Sequence, residues 1–245
     1  VSRLLGRLGH NADQLFSVDV FQDNPHAPKI HVTIQALRDF QTTHQVFSFG
    51  AYFSAAYEVF STYYERALSV LDEFALHPLT RHPINKLERM FEGTLVDAGL
   101  TPPTAAVIDT LEYIRARRNA LIHQHTTPAQ AYVDLVTGQG VAMNVHWGAT
   151  RGPLDLSVAD VLPPNESETI VLLKLLRISA EALDGTVAGN LDPVRVISVK
   201  AASARSSLGR INADVLRNAV GPLRASLRLN YGLLVSEADA LAALQ

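Results

Sequence analysis

LEYIRARRNALIHQH, residues Leu111–His125, sets three arginines, an asparagine and two histidines into an otherwise apolar helical pattern. Val107, Leu111, Ile114, Arg118, Ile122 and His125 follow one another at steps of three or four, which is one face of an α-helix. Arg118 therefore shares a stripe with aliphatic residues and is expected to point into the core or a groove. A guanidinium keeps its proton under all ordinary conditions, so such a position demands an acceptor or a phosphate.

Within this stretch, Arg118-Asn119-Ala120-Leu121-Ile122-His123 resembles the signature of HEPN (higher eukaryotes and prokaryotes nucleotide-binding) domains: an arginine, often followed by a polar residue, then a histidine four to six positions on. The resemblance covers roughly residues 35–190. It implies a helical bundle and a metal-independent endoribonuclease of the toxin–antitoxin or anti-phage kind. Arg118, His123 and Asn119 would be its catalytic residues. It also implies a homodimer in which two copies of the motif line one groove, RNA (tRNA or mRNA) as substrate, and an antitoxin or sensor protein as a further partner. No cofactor is expected.

The residue types suit that chemistry independently. RNA carries its own nucleophile, the 2′-hydroxyl, so the protein must supply a base, charge stabilisation for the phosphorane and a proton for the leaving 5′-oxygen. Histidine suits the proton work, and the arginine fork suits phosphate. On a straight helix Arg118 and His123 stand ~140° apart, whereas His125 lies only ~20° off the line of Arg118. His123 is favoured by the motif, with His125 as auxiliary. Glu58, among the aromatics of an upstream helix, is either a partner for Arg118 or a solvated residue at the stripe's edge.

The composition is that of an ordinary globular protein: 245 residues, 47% hydrophobic, 18% charged, net charge −3. No apolar run reaches transmembrane length and no signal-peptide pattern is present, so a cytoplasmic protein with no membrane partner is expected. The absence of cysteine excludes disulfides and thiolate metal sites. From residue 191 onwards seven basic residues face four acidic ones, a balance of +3 that leaves −6 for the remainder. Arg210, Arg217 and Arg224 recur every seven residues there and, with Arg115 and Arg117, are candidates for RNA contact; a solvated basic face is the plainer reading.

In chain order, residues 1–34 form an N-terminal extension, with a possible helix over 1–8, a strand over 16–21 and a turn at Asn24–Pro28. An aromatic-rich helix is expected over 35–76, with Phe53, Tyr57, Phe60 and Tyr64 on its buried stripe and Gly50 marking a break or a close crossing. Pro83 introduces a helix over 84–98, and Thr104 is placed to cap the motif helix. Alternation on either side of Thr137-Gly138-Gln139-Gly140 reads as a β-hairpin over about 131–147. Asn165-Glu166-Ser167-Glu168 resembles a capping box that opens a helix over 170–187. Beyond residue 191 a short strand (194–199) and two helices divided by Gly221-Pro222 form a basic C-terminal segment. The fold expected is mostly α, a HEPN-like bundle with a hairpin insertion and a C-terminal helical extension.

Other chemistries find less support. His123 and His125 with His146 lack a suitably spaced carboxylate for a metal site. No Gly-rich phosphate loop and no Gly-x-Ser-x-Gly elbow occurs. The competing reading from another class is a non-catalytic helical module that binds RNA or protein.

Overall fold

The computed structural model describes residues 12–75, 93, 95, 96, 101–209 and 212–245. Among them are eight α-helices and no strand, only two isolated antiparallel bridges, Phe16–Thr33 and Ala75–Leu191. The single turn α1 (Ser17–Val20) replaces the strand expected over 16–21. The buried Ser17 hydroxyl donates to the Ile30 carbonyl, and that bond folds this segment back on itself instead of extending it.

Helix α2 (Ile34–Phe74) is 41 residues long and opens where the Thr33 hydroxyl accepts the Ala36 N–H at 3.2 Å. Its C-terminal half buries Phe53, Tyr57, Phe60, Tyr64, Leu68, Leu71 and Phe74, as the periodicity predicts. Gly50 marks a close crossing rather than a break. A Cβ there would stand 3.1 Å from Leu121 Cδ2 of the motif helix. The expected helices over 1–8 and 84–98 lie outside the described residues, save Gly93, Leu95 and Val96, which are helical.

The motif helix α3 (Ala105–Ile122) follows Thr104, which occupies the cap position without making a side-chain cap bond. The hairpin expected over 131–147 is instead α4 (Gln130–Trp147). Tyr132, Val136, Gly140, Met143 and Trp147 recur at steps of three and four and are all buried, so helical packing against α3 overrides the β-branched alternation. Gly140 has a packing reason: a Cβ would fall 2.4 Å from Ser157 Cα. The buried Trp147 Nε1–H donates to Thr110 Oγ at 2.7 Å, tying α4 to α3.

Helix α5 (Glu166–Gly189) starts at the capping box read from sequence, with Asn165 accepting the Glu168 N–H at 2.9 Å and Glu168 accepting the Asn165 N–H at 3.2 Å. The strand expected over 194–199 is part of α6 (Pro193–Ser207), because Asp192 caps the Val194 and Arg195 N–H groups and Pro193 takes the first helical position. α7 (Ala213–Tyr231) runs straight through Gly221-Pro222. α8 (Glu237–Leu244) closes the chain. α2 packs on α3 and α5, and α3 on α4, while α6, α7 and α8 pack on one another. Val196, Val220, Leu223, Leu227 and Leu244 join the same buried cluster as the aromatics of α2, so one apolar core runs through both regions.

Candidate functional site

Arg118 emerges from α3 towards α2, not into the core. Its Nη2 pairs with Glu58 Oε1, its Nη1 donates to Asn119 Oδ1 at 3.0 Å, and its guanidinium lies 5.9 Å from the Tyr57 ring centroid. Glu58 is therefore a partner of Arg118. The pair is only partly shielded, with 21% of the Arg118 side chain and 57% of the Glu58 side chain exposed.

The deeply buried guanidinium belongs instead to Arg117, whose side chain is 1% exposed. Its Nη2 donates at 3.0 Å both to Asp160 Oδ2 and to Glu168 Oε2. Arg117 was a candidate for RNA contact; burial and these two ion pairs make it a structural tie between the motif helix and the start of α5. The stripe of α3 that meets this tie runs through Thr110, Tyr113, Arg117 and Ala120, all buried.

The end of the motif helix is shaped by its backbone. His123 caps α3, Gln124 adopts φ +51°, and His125 follows. The Gln124 N–H reaches Leu121 O at 3.2 Å and the His125 N–H reaches Ala120 O at 2.9 Å, the paired bonds of a Schellman ending with glutamine in the usual glycine position. This turn brings the two imidazoles together, ring centroids 5.7 Å apart.

Both histidines line a cavity of about 280 Å³ between α3 and α4, together with Glu112, Arg115, Asn119 and Tyr132. Arg118 is not part of its lining. Asn119 belongs to both halves of the site: it lines the cavity and accepts from Arg118. One chain thus gathers Asn119, His123 and His125 around a cavity and sets Arg118 on the adjoining α2 side.

Tyr132 forms the apolar wall and meets Tyr113 edge-to-face at 5.5 Å. Burial, reinforced by the neighbouring Tyr113 phenol, pushes the Tyr132 phenol far above the usual range, so it stays neutral and contributes no proton transfer near neutrality. Burial likewise raises Tyr113. Glu112 and Tyr132 are cavity residues that the sequence reading did not single out. Glu112 carries a local signal, a carboxylate three residues before Arg115 on an apolar helix, whereas the local alternation around Tyr132 points to a strand and hides its place on a helix.

The other arginines stand elsewhere. Arg210 lies outside the described residues. Arg217 pairs with Asp214 at 3.7 Å, and Arg224 Nε donates to the Val235 carbonyl at 2.8 Å. Arg224 and Arg228 line a separate cavity of about 220 Å³ beside α7. His146 meets Trp147 edge-on, ring centroids 4.9 Å apart, rather than joining the motif histidines. Among the described residues no group of three or more His, Asp or Glu is placed to hold a metal ion, and no helix is long and apolar enough to cross a membrane. No family model matches the chain, and neither a curated protein nor a solved structure matches it significantly.

Proposed function

We propose that this chain is a HEPN-like, metal-independent endoribonuclease that works as a homodimer. The observation that carries the reading is the junction at Asn119: an arginine bonded to it on one side, two imidazoles 5.7 Å apart around the same cavity on the other. In the proposed reaction one imidazole takes the 2′-hydroxyl proton as that oxygen bonds to phosphorus. The P–O5′ bond breaks, and the second imidazole gives its proton to O5′. His123 is the principal proton carrier and His125 the auxiliary one. Arg118 and Asn119 meet the phosphate oxygens as charge builds on the phosphorane. The products are a 2′,3′-cyclic phosphate and a 5′-hydroxyl.

A second copy supplies what one chain separates. Phe40, His44, Phe47, Ala51, Ser54 and Glu58 recur at steps of four and three along α2. Phe40 and Phe47, 69% and 73% exposed, make this an apolar stripe that leads up to the Glu58–Arg118 pair. Pairing along it sets two motif helices side by side, with Arg118 of one copy facing the histidines of the other. A cytoplasmic toxin–antitoxin or anti-phage role, with tRNA or mRNA as target and an antitoxin or sensor as restraint, is the setting such an enzyme suits.

The test is a mixing experiment. Arg118→Ala and His123→Ala chains are each inactive on RNA, and unfolding and refolding them together restores about a quarter of wild-type cleavage, because half the dimers are mixed and carry one intact composite site. Absence of recovery, with each variant folded, rejects the shared groove. One observation favours the alternative of a non-catalytic binding module: the Arg118 charge is already met by Glu58. That reading requires wild type to bind RNA without cutting it.

A further inference from the structure

Two exposed arginines of the outer helices are met by a carboxylate one turn away: Arg177 stands 3.9 Å from Glu181, and Arg217 stands 3.7 Å from Asp214. Arg66 on α2 and Arg228 on α7 break that pattern. Neither has an acidic residue three or four positions away in either direction. Both are exposed, and among the described residues neither side chain forms an ion pair or a hydrogen bond.

Yet the two line one cavity of about 620 Å³ where α2, α5 and α7 meet. The carboxylate in its lining, Asp184, is taken by the Tyr63 phenol, which donates to Oδ1 at 3.0 Å. Arg228 also lines the adjoining cavity of about 220 Å³ together with Arg224, and no acidic residue lines that one. Arg224 Nε donates to the Val235 carbonyl at 2.8 Å, a bond that fixes its direction and leaves its charge unmatched. Three guanidiniums thus run from α2 across α7 against one carboxylate, and a cleft lined by one sign of charge concentrates ions of the other. The last turn of a helix suits a cation in its own right, but Arg228 donates to no carbonyl there, and Arg66 stands two turns short of its helix end.

The extent of the row selects the anion. One small anion meets one or two guanidiniums, whereas this row passes through two cavities that share Arg228. A nucleic-acid strand presents a negative charge at every nucleotide. Arg66 also lies eight residues beyond Glu58 on α2, about 12 Å along the axis, so a strand of a few nucleotides spans the distance from the Glu58–Arg118 pair to the row.

We infer that Arg66, Arg228 and Arg224 form a track for the phosphodiester backbone of single-stranded RNA, anchoring a strand whose scissile bond lies at the motif. The assignment rests on the nuclease reading above and adds a second contact to it. Guanidiniums on the track meet phosphates and not base edges, so it contributes affinity without base preference.

The test uses the full chain carrying His123→Ala, so that the RNA stays intact, and a labelled single-stranded RNA of mixed sequence. Fluorescence anisotropy gives the association constant across a series of salt concentrations. Arg66→Gln and Arg228→Gln each flatten the slope of log K against log salt concentration by about 0.7, one phosphate contact on a single strand, and the double variant flattens it by about 1.4. Lys29→Gln removes the same charge near the other end of α2, about 48 Å away, and leaves the slope unchanged. Both arginines are exposed, so the variants retain the fold, which equal melting temperatures verify. An unchanged slope in the double variant, or an equal change in Lys29→Gln, overturns the track. Release of the RNA by millimolar inorganic phosphate at constant ionic strength also overturns it, marking a site for one small anion.

A parallel cleavage assay on the wild type separates the two readings. Cleavage, with a slope indifferent to both arginines, rejects the track and leaves the nuclease standing. Arginine-dependent binding by a wild type that cuts nothing rejects the nuclease and leaves the track.

Discussion

Glu58 and Arg118 lie 60 residues apart in the chain and meet as an ion pair across the contact of α2 with α3. The pair fixes the direction of Arg118, away from the core and beside Asn119. Because Glu58 is more than half exposed, water screens the attraction, and the pair contributes at most about 1 kcal/mol to stability. Glu58→Ala is therefore expected to leave the urea midpoint nearly unchanged while cleavage falls roughly 10- to 100-fold, as Arg118 loses its orientation. Parallel urea melts and initial-rate assays on the same preparations check this.

Arg117 should behave in the opposite way. Its guanidinium is buried between Asp160 and Glu168, and removing it strands two carboxylates that are themselves mostly sheltered. Arg117→Ala is expected to cost about 3 kcal/mol, near the lower end for a broken buried pair because the carboxylates keep some water contact. Denaturant titration compared with Arg118→Ala, which costs about 1 kcal/mol or less, reads the difference.

Gly140 is held by contact, not by backbone strain. Gly140→Ala drives a methyl into Ser157 Cα of the segment crossing α4, so the backbone must shift. A loss of about 1–3 kcal/mol is expected, although alanine is the better helix former. At Gly138 a Cβ meets nothing within 4 Å, and Gly138→Ala is expected to stabilise by about 0.5–1 kcal/mol. Thermal melts of the two variants should move in opposite directions.

Gln124 stands in the left-handed region at φ +51°, a conformation that costs a non-glycine residue about 1 kcal/mol. Gln124→Gly is expected to stabilise the fold by roughly 0.5–1 kcal/mol, since glycine is the usual residue of a Schellman ending. The backbone turn, and with it the pairing of His123 and His125, is retained, so cleavage stays within about twofold of wild type. Melting temperature and kcat measured together check both statements.

The legible parts of this sequence are those set by short-range rules. The aromatic stripe of α2 and the Asn165 capping box announced themselves because their partners lie within a turn or two along the chain. Over 131–147 glycine suggests a turn by local rules, whereas Gly140 is there to let Ser157 approach, a contact no local pattern reveals. The proline at 222 likewise sits inside α7, where packing of Val220, Leu223 and Leu227 holds the helix through it.

Periodicity also chose the wrong arginine for burial. α3 is covered on nearly every side, so a single stripe through Val107 and Leu111 does not pick out its interior. Arg117 is buried because Asp160 and Glu168, 43 and 51 residues later, fold onto it. The meeting of His123 with His125 depends on one residue in the left-handed region, which glutamine does not advertise.

The central claim is that Arg118 and His123 belong to a metal-independent ribonuclease site. Its most direct test incubates purified wild type, Arg118→Ala and His123→Ala with total RNA and a labelled tRNA in excess EDTA, and analyses the ends of any products. Wild type is expected to yield fragments carrying 2′,3′-cyclic phosphate and 5′-hydroxyl ends, with cleavage reduced at least 100-fold in both variants. Cleavage that persists in the variants, or that stops in EDTA, contradicts it.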